Sequence, residues 1–486
     1  MRSVVLTAFL WSLVSVVAAA DLPRSTPEAQ GVSSKQVLAF VEAIDTVESL
    51  NSVMVVRHGH VIAEGWWAPY HPQARHSLYS LSKSFTSTAV GLAVAEGKLS
   101  VDDEVVKFFP DDVPANATSN LKAMRVSDLL RMATGHQSEP PRKNDETWTH
   151  TFLAHPVPFK PGTHFLYNTS ATYMQSAIVQ KVTGQNLLDY LHPRLFEPLG
   201  IENPTWEMSP QGIATGGYGL SVRTEDIAKF GQLYLQKGKW NGKQLVPVAW
   251  IEAATARQTS NGSNPASDWD QGYGYQFWRC RHGAYRGDGA FGQYCVVLPE
   301  QDVVIAITSG VRDMQGILNI AWDKLLPAFG SSPLSADAAA HTALQAKLKG
   351  LVVRLPAHTG APPANVFKKI VFPANDQKVE SATFGTDAKT DAVTLVMRAA
   401  GEDRRIALGQ GKWQSSEVAW GFLPKQPVAA AGGWSGNTYT VKLVFYETPF
   451  IVTARFRFEP DHVVYEHESN VGFGPTKQPP LKGEQP

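Results

Sequence analysis

Tyr79 to Thr88 reads YSLSKSFTST and runs directly into the apolar segment AVGLAVAEG, Ala89 to Gly97. A cluster of hydroxyls surrounds one lysine at the mouth of a segment with the composition of a buried helix, which Gly97 closes as a C-cap. Ser80 and Lys83 stand three apart, so on a helix they share one face with adjacent side chains. At the first turn the serine oxygen lies near unsatisfied N–H groups and the positive end of the helix dipole, which favour negative charge. An isolated serine is a poor nucleophile at neutral pH and needs a neighbouring base. A lysine supplies one when desolvation or nearby cations lower its pKa enough to leave it neutral. The spacing recurs in Ser119-Asn120-Leu121-Lys122, a polar stretch with no apolar helix behind it. About one or two such tetrapeptides are expected by chance in a chain of this composition. Context has to separate the two.

The flanks point to an α+β fold. Upstream, SSKQVLAFVEAIDTV (Ser33 to Val47) has helical periodicity and a serine cap. Then SVMVVRHGHVIAEGWW places two β-rich runs on either side of His58-Gly59-His60, a hairpin signal. Helical patterns recur at VSDLLRMATG, ATYMQSAIVQKVTG, NLLDYLHPRLFEPLG and RTEDIAKFGQLYLQKG. From Gly272 four short runs rich in β-formers (GYGYQFWRC, GAYRGDG, GQYCVVLP, VVIAITSG) read as an antiparallel meander, covered by a helix at QGILNIAWDKLLPAF. Strands at both ends of a helical middle imply one sheet built from distant parts of the chain, an α+β architecture. Residues 333–364, with GSSPLSADAAAH and LPAHTGAPPAN, read as a linker. Beyond it DAVTLVMRAA, RRIALGQGKW and the long alternating stretch from Thr438 suggest a small all-β sandwich or barrel of six to eight strands over 365–486.

With that order of elements, SLYSLSKSFTSTAVGLAVAEGKLSVDDEVVKFFP resembles the nucleophile segment of the penicillin-recognising serine hydrolases. Within them it is most similar to the branch holding class C β-lactamases, D-alanyl-D-alanine peptidases and family VIII esterases. The likeness runs in family order from about residue 22 to 330, through LLRMATGH, KPGTHFLYNTSATYMQSAIVQKVTGQ, GGYGLSVRTEDIAKFGQLYLQKGKWNGKQLVP and DGAFGQYCVVLPEQDVVIAITSG. The resemblance implies a β-lactamase/transpeptidase-like domain over 21–332, an antiparallel sheet flanked by helices plus a helical subdomain, with Ser80 and Lys83 as the catalytic pair. It also implies Tyr167, in YNTS, as a further proton-transfer group; a phenol beside a lysine cation can be pushed toward phenolate. Where the family pattern ends Tyr-x-Asn, Thr169 holds the asparagine position and Asn168 lies one residue early, so either is a candidate for the substrate amide. The strand motif, usually Lys-Thr-Gly or His-x-Gly, reads Gly287-Asp288-Gly289. Gly289 lets substrate lie along the strand, and the amides of Ser80 and Ala290 correspond to the oxyanion donors. Asp288 stands beside the site where related enzymes use a cation to hold a substrate carboxylate, and it repels one; Arg279, Arg281 and Arg286 are candidates to compensate.

Other features bound the function. The chain has 486 residues and zero formal net charge without basic or acidic blocks, which argues against nucleic acid or an anionic membrane surface as partner. Residues 1–20, MRSVVLTAFLWSLVSVVAAA, have the layout of a cleaved secretory signal, and no later segment is apolar enough for membrane insertion. The mature protein is therefore expected in the periplasm or medium. Cys280 and Cys295 are the only cysteines; export permits one bridge between them. His136 and His282 are candidates for the cleft wall. His58-x-His60 lacks an identifiable third metal ligand. Trp148, Trp206 and Trp269 occur in segments suited to a cleft rim.

The expectation is a secreted serine hydrolase that cleaves a small-molecule ester, amide or peptide through an acyl-serine intermediate, using no metal or organic cofactor. Esters are favoured because the carboxylate anchor is missing. The alternatives are a D-Ala-D-Ala peptidase or β-lactamase, and a non-catalytic binding protein on a hydrolase scaffold.

Overall fold

The computed structural model describes residues 21–360, 366–386 and 393–485. The leader 1–20, linker residues 361–365 and the first two residues of DAVTLVMRAA lie outside the described residues. Helix α1 (Ser34–Asp45) leads into strands β1 (Leu50–Arg57) and β2 (His60–Trp66). His58 and Gly59 at their turn both take positive φ, +48° and +75°, which suits the right-handed twist of a tight hairpin. The meander is β3 (Trp278–Arg279), β4 (Tyr285–Gly289), β5 (Gln293–Leu298) and β6 (Val303–Ser309). All six strands form one sheet in the order β2-β1-β6-β5-β4-β3. β1 pairs antiparallel with β6, Val53 opposite Ile307, so the two ends of the domain close on each other as the pattern of strands requires.

Both faces of this sheet are covered. Along β1, Val53 and Val55 enter one apolar cluster while Met54 and Val56 enter the other, the period-two alternation of a pleated strand. The cluster of Val53 and Val55 is closed by α1, by helix α5 (Met314–Ile320) and by helix α6 (Ala338–Lys349), through Val37, Ile317, Leu344 and Leu348. Helix α6 lies inside the stretch read as linker. Its sequence AAAHTALQAKLK presents few apolar residues, but Leu344 and Leu348, four apart, share one face and complete that core. The cluster of Met54 and Val56 packs beneath α2 (Ser82–Ala95), α3 (Thr169–Thr183) and α4 (Thr224–Leu235).

Among the described residues the carboxy-terminal strands form a single curled sheet of ten, two more than the upper number expected. Short strands at Ile370–Val371 and Leu481–Gly483 carry no clear alternation, which is why sequence pattern undercounts them. Those two end strands meet through the paired backbone bonds of Val371 and Glu484, so the sheet nearly closes as a barrel around its own apolar cluster. The barrel rests on the first domain: Val444 and Ile451 enter the core that also holds Val53 and Ile307. The hairpin tip 445–450 is tied down where Ser77 N–H donates to Glu447 O at 2.9 Å. Asn470 Nδ2 donates to Gly310 O at 2.9 Å and to Pro449 O at 2.8 Å.

Candidate active site

Ser80 sits in a 3-10 turn, Tyr79–Leu81, that continues without a break into α2. The hydroxyls around it have an assignable purpose. Every residue from Ser82 to Ala93 is buried, and four of the five hydroxyls in this run, all but that of Ser87, are hydrogen-bonded. Ser84 Oγ donates to Gln276 O at 2.9 Å and Thr86 Oγ1 to Gly216 O at 2.8 Å. Ser82 Oγ accepts from Leu220 N–H at 3.1 Å. Thr88 Oγ1 meets Tyr234 OH at 2.7 Å. The helix is thereby clamped by Gln276, by the 216–220 stretch and by α4, which fixes the turn that carries Ser80. Ser119 and Lys122, the second match to the spacing, are both exposed on the surface.

Lys83 is 1% exposed. Its Nζ lies 3.0 Å from Ser80 Oγ, 2.8 Å from Gly217 O and 3.3 Å from Thr169 Oγ1. Burial lowers its pKa from 10.5 to about 7; Glu139 and Asp288 oppose the shift and Arg142 adds to it. A neutral amine can donate to Gly217 O and Thr169 Oγ1 while it accepts the Ser80 proton, which satisfies all three contacts. Gly217 has to be glycine: a Cβ there would stand 2.5 Å from Thr169 Cγ2 and 3.4 Å from Lys83 Nζ.

Tyr167 lines the cavity with Ser80, and its ring lies 4.9 Å from Lys83 Nζ. It stacks on Trp278 at 5.2 Å and meets Tyr273 edge-on. The expectation of a phenolate fails here. Desolvation raises the Tyr167 pKa, Asp288 raises it further, and Ser80 offsets only part. Burial disfavours the phenolate, so Tyr167 remains a protonated phenol.

On the opposite wall β4 approaches the nucleophile turn closely. A Cβ on Gly289 would stand 2.0 Å from Leu78 O and 3.1 Å from Ser80 N, and one on Gly287 would strike Leu81 and Ser84. Gly289 thus serves the contact between strand and turn, and it also lines the cavity with Ala290 and Ser80. Asp288 is buried, and Arg286 Nε donates to its Oδ2 at 2.9 Å. Arg286 is enclosed, 4.3 Å over the Trp269 ring. Burial raises the Asp288 pKa while Arg286 pulls it down. Arg281 is spent on Asp268 and Arg279 on Thr255 O, so none of the three arginines reaches out to hold a carboxylate.

Ser80, Tyr167, Thr169, Asp288, Gly289 and Ala290 line one cavity of about 850 Å³. The choice left open between Asn168 and Thr169 is resolved by the helix that follows. Asn168 is the N-cap of α3, accepts the Ala171 N–H at 3.1 Å and is fully buried, so it does not line the cavity. His136 packs edge-on against Phe152 away from the cavity, and His282 lies against Trp322. Of the three tryptophans expected at a rim, Trp269 lines the cavity; Trp148 and Trp206 are buried in the core. Cys280 and Cys295 are free thiols that belong to the two different clusters on opposite faces of the sheet. Among the described residues no group of three or more His, Cys, Asp or Glu is placed to hold a metal ion, and no helix is long and apolar enough to cross a membrane.

The Beta-lactamase family model matches residues 45–316, more than half of the chain. The protein belongs to the beta-lactamase family. It is a serine hydrolase of that family, and its matched region holds the Ser80 turn, Tyr167 and β4. It is 27% identical to the 6-aminohexanoate-dimer hydrolase of Paenarthrobacter ureafaciens over 54% of this chain and 73% of that protein. Further curated relatives are matched over less than half of their own length, 37% and 44%. Among solved structures, EstCE1, a hydrolase with promiscuous acyltransferase activity, superposes with a TM-score of 0.50 at 17% identity, over 59% of this chain and 98% of its own. A SurE structure, also at TM-score 0.50 and 15% identity, covers 87% of this chain and 99% of its own. These likenesses show the fold.

Sequence reasoning passed over several residues of this beta-lactamase-family cavity. Glu139, Arg142, Glu207, Gly217, Tyr218 and Phe473 all line it. Arg142 is the one arginine or lysine among the described lining residues, and it bonds Glu139 and, at 2.8 Å, Ser170 Oγ. Only the run GGYGL, with two adjacent glycines, signalled a close approach of backbone. Tyr79, next to the nucleophile, takes φ +48°, a strained position for an aromatic residue. Phe291, Phe450 and Phe473 surround its ring at 5.4, 6.5 and 5.8 Å, the last two contributed by the barrel.

Proposed function

We propose that the protein cleaves small neutral esters, and more slowly amides, by way of an acyl-enzyme on Ser80. The observation that carries this reading is the 3.0 Å contact between Ser80 Oγ and a buried Lys83 whose pKa lies at about 7. As Oγ bonds the substrate carbonyl carbon, its proton passes to Lys83 Nζ. The carbonyl oxygen becomes an oxyanion held by the amides of Ser80 and Ala290, donors that require no movement when the charge develops. The Tyr167 phenol delivers a proton to the departing oxygen or nitrogen and is reprotonated from the Lys83 ammonium. Water, deprotonated by the neutral amine, then attacks the acyl-serine; the Lys83 ammonium returns that proton to Ser80 Oγ as the acyl–oxygen bond breaks and the acid leaves.

Neutral substrates are favoured by the lining. Asp288 stands where a carboxylate anchor would be needed, and Arg142 already answers to Glu139 and Ser170. Linear amides are the second reading, supported by the activity named for the Paenarthrobacter relative; peptidoglycan peptides and β-lactams, which carry that carboxylate, rank below both. Export forms part of the same proposal and rests on the leader-like sequence 1–20; a secreted protein beginning at Asp21 is the expected product. The test is turnover of p-nitrophenyl acetate together with fluorophosphonate labelling. Ser80→Ala abolishes both, and intact mass shows one adduct per wild-type chain. Retention of labelling in Ser80→Ala overturns the assignment.

A further inference from the structure

The barrel holds a second cavity, of about 600 Å³, whose wall includes Trp420, Phe422, Leu423, Phe450 and Val471. No aspartate, glutamate, lysine or arginine occurs among its described lining residues. Its histidine, His467, bonds Tyr465 OH at 3.0 Å, and burial lowers its pKa, so it brings no charge at neutral pH. This cavity shares two residues with the catalytic one, Tyr79 and Phe473. Ring contacts connect them: Tyr79 to Phe450 at 6.5 Å, then Phe450 to Phe422 at 5.3 Å. An aromatic track therefore leads from the residue beside Ser80 into the barrel. Phe422 and Phe473, at 75% and 80% exposure, are the most exposed large apolar side chains described. Both stand at this track, and exposed aromatics gathered at one place mark a binding surface.

Resting on the reading of Ser80 as the acylated serine, we infer that the barrel cavity is a second subsite of the enzyme, which takes the apolar acyl chain of a substrate whose carbonyl lies at Ser80. The direction follows from the proton donor. Tyr167 stacks on Trp278, in a set of rings separate from that of Tyr79 and Phe473. The leaving group turns toward Tyr167 for its proton, which leaves the acyl chain facing Tyr79 and Phe473. A wall without charge offers such a chain burial and offers an ionic one no counter-charge. The barrel would thereby set the acyl-length preference of a site whose chemistry belongs entirely to the first domain.

The experiment compares p-nitrophenyl acetate with p-nitrophenyl octanoate in the full-length protein. Each methylene fully buried in the subsite raises kcat/KM about fourfold, so the octanoate/acetate ratio is expected to exceed tenfold. Phe422→Asp, which places a charge at the cavity, lowers that ratio at least tenfold. Phe367→Asp alters an exposed phenylalanine of the same domain outside both cavities and leaves the ratio unchanged. Binding is read without the chemistry in Ser80→Ala, by quenching of tryptophan fluorescence with the two esters. Octanoate binds more tightly than acetate there, and Phe422→Asp in that background removes the difference. Equal affinities for the two esters in Ser80→Ala, or equal effects of the two aspartate substitutions, overturn the inference. If wild type hydrolyses neither ester yet Ser80→Ala binds octanoate through Phe422, the hydrolytic reading fails and the subsite stands. Hydrolysis of both esters at one rate by a labelled Ser80 gives the reverse.

Discussion

Replacing Lys83 by methionine keeps the volume of the side chain and removes the amine, with opposite consequences for activity and stability. The folded protein binds the Lys83 proton far more weakly than the unfolded chain does, since burial takes the pKa from 10.5 to about 7. Between those two pH values the unfolded chain holds the proton and the folded one does not. Wild-type stability therefore rises with pH across that window, by up to about 1.4 kcal/mol per pH unit, and the slope vanishes below it and above it. Integrated over the window, the cost of burying this amine at neutral pH is on the order of 5 kcal/mol. Lys83→Met escapes that cost but leaves Gly217 O without its donor, a loss of about 1–3 kcal/mol. The variant should thus be more stable than wild type by roughly 2 kcal/mol near pH 7. That advantage should shrink as pH rises and change sign toward pH 10. Urea denaturation of both proteins across this range measures it, and all other titrations cancel in the difference. Ester hydrolysis should fall by about 10²–10⁴-fold, the usual contribution of a positioned base. Parallel stability curves for the two proteins from pH 7 to 10 would show that Lys83 keeps its proton in the folded state, and the proposed base would be lost with it.

Three further outcomes follow from the same geometry. In wild type, kcat/KM should rise through about pH 7 as Lys83 becomes neutral, and Glu139→Gln should move that limb to lower pH, because Glu139 favours the charged amine; a pH–rate profile reads the sign directly. Tyr167→Phe should lower kcat/KM by about 10²-fold and leave the limb near pH 7 in place, since the protonated phenol does not titrate there; disappearance of the limb would transfer it to the tyrosine. Gly289→Ala, whose Cβ would meet Leu78 O at 2.0 Å, should lower stability by about 1–3 kcal/mol and reduce turnover by displacing Ser80; thermal unfolding and kcat together check it.

The arrangement divides labour between backbone and burial. Hydroxyls on α2 hold the helix, glycines on β4 and at Gly217 let other backbones approach it, and the enclosed volume then alters the acidity of the two groups beside Ser80. Lys83 and Tyr167 respond in opposite senses because burial disfavours whichever form is charged. One physical cause thus yields a neutral base and a neutral acid side by side.

Local pattern was enough for much of this protein. The hairpin at His58-Gly59-His60, the meander after Gly272 and the closure of β1 on β6 follow from alternation, turn residues and the need to pair strand edges, all properties of short windows. The Ser80–Lys83 contact follows from helical spacing. Helix α6 was hidden in the presumed linker because two leucines suffice once a neighbouring core is waiting for them. The protonation of Tyr167, the withdrawal of Asn168 into a cap and the pairing of Asp288 with Arg286 were not legible. Each depends on which groups are brought together across many residues, and electrostatics is set by distance in space and by excluded water. The same holds for Phe473, nearly four hundred residues from the serine whose cavity it lines, since only the docking of the barrel brings it there.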